Sequence, residues 1–226
     1  MIHKRILRAI HKKTKNMHKV GKAHFSFINN RLNRMRYPLY FYLIAGNTLI
    51  YFAWNSGIIS KTFLNKHFFL SSNNVGSGRL HTLYTYTFAH TNFFHLLMNG
   101  AGLYFVGRAV EGYFGPRILL NLHVVGALAG GLYALITKNK YDNRSIVGAS
   151  ASLSAVLAFF IMNFPKEQFL VFPFPFPIRA WVLGGGYMLY SFMNSGNQYS
   201  MVSHSGHFGG FMAGVAYYFF LRGGLR

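Results

Sequence analysis

Cysteine does not occur in the 226 residues, which excludes a disulfide framework, a thiolate metal site and a cysteine nucleophile. Carboxylates are nearly as scarce: Glu111, Asp142 and Glu167 stand against 23 lysines and arginines, a formal charge of +20. Three scattered acids cannot supply the buried aspartate pair of an aspartyl protease, and no His-Glu-x-x-His pattern of a zinc protease is present. Charged residues make up 12% of the chain and hydrophobic ones 52%, a balance that excludes an ordinary soluble domain and describes a polytopic membrane protein. A cationic excess can serve nucleic acid or anionic lipid. In so apolar a chain, lipid headgroups are the better match, and no nucleic-acid partner is expected.

The cations are unevenly placed. Residues 1–36 hold eleven lysines and arginines and no acid, with Ile2, Ile6 and Ile10 at helical spacing among Lys4, Arg5, Arg8 and Lys12. Two readings stay open: a mitochondrial presequence, or a retained basic tail lying on anionic headgroups. Further on, apolar windows lie at about 38–57, 92–110, 117–137, 146–163, 178–193 and 203–221, each near the ~20 residues that cross a bilayer, the fifth being short. The chain therefore divides into a basic tail, 1–37, and a six-helix membrane domain, 38–222. Glycines inside the windows (Gly126, Gly130, Gly131, Gly184 to Gly186, Gly209, Gly210, Gly214) let helices approach closely, so the expected fold is an all-α transmembrane bundle without a sheet.

Six crossings place the tail, the second and fourth loops and the C-terminus on one side, with 17 basic residues against 6 on the other. The tail thus faces the cytoplasm or matrix. The long first loop, about 58–91, contains an apolar stretch, Thr62 to Leu70, too short to span and expected to lie in the membrane interface. Windows two, four and six all begin on the less basic side, and each begins with polar groups: His90, Asn92, His95 and Asn99; Ser145, Ser150, Ser152 and Ser154; His204 and His207. Ser150 falls about four residues, roughly 6 Å, inside its window. Polar groups at such depth are costly unless they pair or serve water, so a shared wet cavity is the economical arrangement.

Within Gly148-Ala149-Ser150-Ala151, small neighbours leave the serine unshielded. Ser154 and Ala158 continue its face, with Ala151 and Ala155 alongside, and His207, Gly210 and Gly214 share one face of the sixth window. Two small-residue faces bring backbones together and let His207 act as base for the Ser150 hydroxyl, a weak nucleophile alone. His95 and Asn99, four apart, point the same way and offer donors to the oxyanion that develops on an attacked carbonyl, with the Ser150 N–H as a third. No aspartate is at hand to orient the histidine, so the site is a dyad. It needs no cofactor and no metal, since the histidines have neither carboxylate nor thiol beside them. His90 and His204 are read as structural or water-facing.

These residues carry a resemblance. His95-Leu-Leu-Met-Asn99, Gly107-Arg108-Ala-Val-Glu111-Gly-Tyr-Phe-Gly115-Pro-Arg117, Gly148-Ala-Ser-Ala151 and His204-Ser-Gly-His207-Phe-Gly-Gly210, in that order, resemble the successive signatures of the rhomboid intramembrane serine proteases across about residues 79–215. The resemblance implies a nucleophile at Ser150, a base at His207, oxyanion donors at His95 and Asn99, and supporting roles for Glu111 and Arg117 in the second loop. It implies single-span transmembrane substrates cut near small residues. Two departures stand out: Ala151, where many rhomboids have glycine, sets a methyl group beside the nucleophile, and the first loop is poor in tryptophan, with Arg79 as the nearest match to the family's loop arginine.

The function expected is thus an intramembrane serine protease, with a rhomboid-fold scaffold subunit of a larger membrane complex as the alternative. A carrier or channel would want charges in mid-membrane, and none is present. The tail favours the mitochondrial inner membrane, with a bacterial-type plasma membrane as alternative. Phe172 to Ile178 reads as a rigid turn, and Gly184 to Gly186 as a close-packing face.

Overall fold

In the computed structural model, residues 37–138, 144–170, 176–195 and 203–223 are described. The basic tail, Asp142 and Phe172 to Pro175 of the proposed turn lie outside them. From Pro38 onward the chain forms one compact unit.

Helices occupy each of the six apolar windows. They are α1 (Leu39–Ser56), then the first loop with α2 (Lys61–Phe68), α3 (Ser72–Gly76), α4 (Thr82–Thr85) and a 3-10 turn (Tyr86–Phe88). Next come α5 (Phe93–Gly102), a π-helical turn (Leu103–Gly107) and α6 (Arg108–Phe114), which together fill the second window. They are followed by α7 (Pro116–Thr137), α8 (Ser150–Asn163), α9 (Ala180–Met193) and α10 (His204–Gly223). Among the described residues, α7, 22 residues long with a mean hydropathy of 1.8 over an 18-residue window, is long and apolar enough by itself to cross a membrane, while α8 is apolar but shorter.

Three expectations are corrected. A small sheet exists: Gln168–Phe169 (β1) pairs antiparallel with Ile178–Arg179 (β2), bracketing the proline-rich loop. The fourth helix starts at Ser150 itself, not four residues earlier, because Gly148 takes φ 108° and the preceding residues run extended. The triple glycine is not one packing face: a side chain at Gly184 would strike Ile161, whereas Gly185 and Gly186 meet nothing within 4 Å.

The core is a three-helix seam. A Cβ on Gly126 of α7 would fall 2.6 Å from Ala155 Cβ and 3.0 Å from Ser152 Cα of α8. One turn on, a Cβ on Gly130 would meet the Gly206 carbonyl oxygen of α10 at 2.5 Å and Ala151 Cβ at 2.7 Å. α10 answers with Gly210 against the Ala151 carbonyl and Gly214 against that of Ala155, so here backbones touch with nothing between them. Asn121 of α7 also donates to Tyr217 Oη of α10 at 2.8 Å.

The first loop folds onto this seam. Leu64, Phe69 and Leu70 are buried, so much of the Thr62–Leu70 stretch turns inward. Asn74 ties the loop together, donating to the carbonyls of Asn65 (2.9 Å) and Phe69 (2.8 Å) while its own oxygen accepts from Arg79 Nε at 3.1 Å. Glu111, in α6, reaches the start of α1: its two carboxylate oxygens accept from the backbone N–H groups of Leu39 (2.8 Å) and Tyr40 (2.9 Å). Those N–H groups have no partner within α1, and an anion suits the positive helix end. Glu111→Ala is expected to cost about 1–2 kcal/mol of stability, read as a lower thermal midpoint in detergent.

Candidate functional site

The segment before Ser150 is clamped from the first loop. Leu70 and Ile146 exchange backbone hydrogen bonds at 3.0 and 2.8 Å, Gly148 N–H donates to the Tyr86 carbonyl at 2.9 Å, and Tyr86 Oη donates to the Ala127 carbonyl in α7, also at 2.9 Å. Tyr86 is fully buried, so Tyr86→Phe removes a buried hydrogen bond while the Ala127 carbonyl keeps its bond within α7; a loss of about 1 kcal/mol is expected in thermal unfolding.

Gly148 is fixed by two constraints. Its positive φ disfavours any side chain, and a Cβ there would run into the ring of His95, 2.6 Å from Nε2. The His95 imidazole of α5 therefore lies against the turn that presents Ser150. Ser150 occupies the first helical position of α8, where backbone N–H groups have no partner within the helix.

The other two serines of α8 are committed to backbone. Ser152 Oγ donates to the His123 carbonyl of α7 at 2.8 Å, and Ser154 Oγ donates to the Ser150 carbonyl at 2.8 Å. Ser150 Oγ has no hydrogen-bond partner among the described residues, and the residue is half-buried. Ala151 packs into the seam in a buried cluster with Leu70, Tyr86 and Ala127.

His207 sits one turn before Gly210, whose backbone abuts Ala151, the residue after Ser150. The helix contact thus brings the His207 and Ser150 backbones to neighbouring positions, and the two side chains are not hydrogen-bonded to each other. The His207 ring stacks on Tyr187 of α9, centroids 5.8 Å apart and planes 26° apart, and stands edge-on to His204, centroids 6.2 Å apart. Asn99 is buried and one of its amide N–H groups goes to the His95 carbonyl at 2.8 Å, the other having no partner among the described residues. His90 is buried with its ring edge-on to His95, centroids 4.9 Å apart, as a structural neighbour. His204 packs edge-on against Tyr190 at 5.1 Å.

The described part of this site lies inside residues 77–224, which match the Rhomboid domain family model. The chain belongs to the rhomboid family. It is 31% identical over 183 residues to RHOMBOID-like protein 12, mitochondrial, of Arabidopsis thaliana, covering 74% of this chain and 54% of that protein. It is 31% identical over 159 residues to Rhomboid protein 1, mitochondrial, of Saccharomyces cerevisiae, covering 69% and 45%. Rhomboid-like protein 16, chloroplastic, of Arabidopsis thaliana matches at 35% over 95 residues, covering 42% and 30%. This rhomboid thus spans about half the length of the curated relatives that match most of it.

One site residue of this rhomboid escaped the sequence reading. Tyr187 Oη is hydrogen-bonded to Ser154 Oγ at 2.8 Å, and Ser154 is bonded in turn to the Ser150 carbonyl, so the ring under His207 is anchored to the helix that carries the serine. The signal available was the polar Ser154, one turn beyond Ser150 on an otherwise apolar helix, which needed a partner. Tyr187→Phe keeps the ring and loses the anchor. If the chain cleaves peptide bonds, Tyr187→Phe is expected to lower kcat about tenfold with KM little changed, and Tyr187→Ala to lose more.

Proposed function

We propose that the protein is an intramembrane serine protease that hydrolyses peptide bonds in or near single membrane-spanning helices, with Ser150 as nucleophile and His207 as general base. The six helices cross the bilayer with the tail on the matrix side of the mitochondrial inner membrane, in keeping with the charge count and with two relatives named as mitochondrial.

In this reading the Ser150 hydroxyl oxygen bonds to the scissile carbonyl carbon as its proton passes to a ring nitrogen of His207. The carbonyl becomes an oxyanion facing the Ser150 N–H, the His95 ring and the remaining Asn99 N–H. Collapse breaks the C–N bond, His207 returns the proton to the departing amine, and water releases the acyl group by the same route. The observation that carries the proposal is the Ser150 hydroxyl at a helix start, unpartnered among the described residues, with the His95 ring against Gly148 and His207 one turn from the Gly210–Ala151 contact, while its two neighbouring serines are both used by backbone.

The test is labelling of detergent-solubilised protein by a fluorophosphonate, expected at Ser150 in the wild type and lost in Ser150→Ala. Persistent labelling of the alanine variant ends the proposal. A scaffold subunit of a larger membrane complex is the second reading, favoured by the absence of a hydrogen bond between Ser150 and His207. It requires stoichiometric co-purification with other subunits and no labelling of the wild type.

A further inference from the structure

The second window is not one continuous α-helix. At Leu103–Gly107 it takes a π-helical turn, a distortion that recurs at functional positions. That turn lies far from the catalytic face: Arg108 follows His95 by thirteen residues, about 20 Å along a helix. Around it Tyr104, Phe105, Arg108, Ala109, Gly112 and Tyr113 line a groove of about 480 Å³. Phe105 and Tyr113 are each 70% exposed, and a Cβ placed on Gly112 meets nothing within 4 Å, so the protein's own side chains do not fill the groove.

The groove has one cation. The Arg108 guanidinium lies 5.6 Å from the Tyr104 ring centroid and donates a single hydrogen bond, 3.2 Å, to Tyr104 Oη. A guanidinium has five N–H donors, so four are left without a partner among the described residues. An arginine near the end of a membrane-spanning helix extends its guanidinium to the headgroup layer, where phosphate oxygens can meet the open donors. By the charge count this end of the helix lies on the strongly basic side, where anionic headgroups gather.

We propose that this groove binds one anionic phospholipid, its phosphate on Arg108 and an acyl chain along Tyr104, Phe105 and Tyr113. Charge complementarity selects the headgroup, and the open floor over Ala109 and Gly112 between aromatic walls selects a chain over a helix. The inference rests on the membrane reading above and is independent of proteolysis.

The full chain is reconstituted in phosphatidylcholine nanodiscs, phosphatidylglycerol is titrated in, and retained lipid is counted by native mass spectrometry. Wild type is expected to prefer phosphatidylglycerol, and Arg108→Gln is expected to weaken that preference about fivefold. Gly112→Leu, which fills the floor, is expected to do the same. Arg222→Gln, removing another arginine stacked on a tyrosine ring, at 4.9 Å from Tyr218, is expected to leave it unchanged. Inorganic phosphate alone is expected to show no binding. Equal losses from Arg108→Gln and Arg222→Gln, or an unchanged preference in Gly112→Leu, overturn the groove. Release of the protein from membranes by alkaline carbonate overturns instead the membrane reading on which it rests.

Discussion

Ser150→Ala is expected to lower kcat/KM for a single-span transmembrane substrate by about 10⁴-fold or more, with the thermal midpoint almost unmoved. The two halves of this result have separate causes. The chemical half follows from losing the one hydroxyl in the Gly148–Ser154 segment that is free to attack. The stability half follows because Ser150 Oγ has no hydrogen-bond partner among the described residues, so its removal strands none of them. Ser152→Ala is the matched control: its hydroxyl serves the His123 carbonyl at 2.8 Å, so about 1 kcal/mol of stability should go while cleavage persists. If instead Ser150→Ala cleaves as well as wild type, or Ser152→Ala is the inactive one, the nucleophile has been misassigned.

Some of this site was legible in the sequence, and the limit is physical. Helical spacing put His207, Gly210 and Gly214 on one face because that depends on the 3.6-residue period alone, and the three-helix seam uses Gly210 and Gly214. On α8 the backbone that Gly210 and Gly214 approach is that of Ala151 and Ala155, which flank the serine face, while Ala158, on that face, shares a buried cluster with Phe211 of α10. Tyr187 was not legible, since its encounter with His207 depends on how α9 is rotated against α10, a tertiary matter with no local pattern. Glu111 was read as support for its own loop and instead caps α1, 72 residues away in sequence. Such a long-range bond leaves no periodic trace. The same holds for Gly184, Gly185 and Gly186, identical in sequence but separated by which one faces Ile161.

Gly210→Ala is expected to be among the most damaging single-methyl changes in the chain. A Cβ at position 210 would overlap the Ala151 carbonyl oxygen, and that oxygen belongs to helix backbone with no flexible end to swing aside. α10 must therefore move off α8, loosening the contacts of Gly206 and Gly214 on the same face, at a cost of about 2–4 kcal/mol. The shift also reaches the chemistry. His207 is one turn from the clash and Ser150 adjoins the struck residue, so a displacement of about 1 Å between them is expected to reduce kcat by about 10²-fold even in the folded fraction. Gly185→Ala adds the same methyl where nothing lies within 4 Å, and by reducing the freedom of the unfolded chain it should be neutral or slightly stabilising. Thermal midpoints of the two variants in one detergent decide the matter. If Gly210→Ala unfolds at the temperature of Gly185→Ala, the backbones of α8 and α10 do not meet where the site requires it.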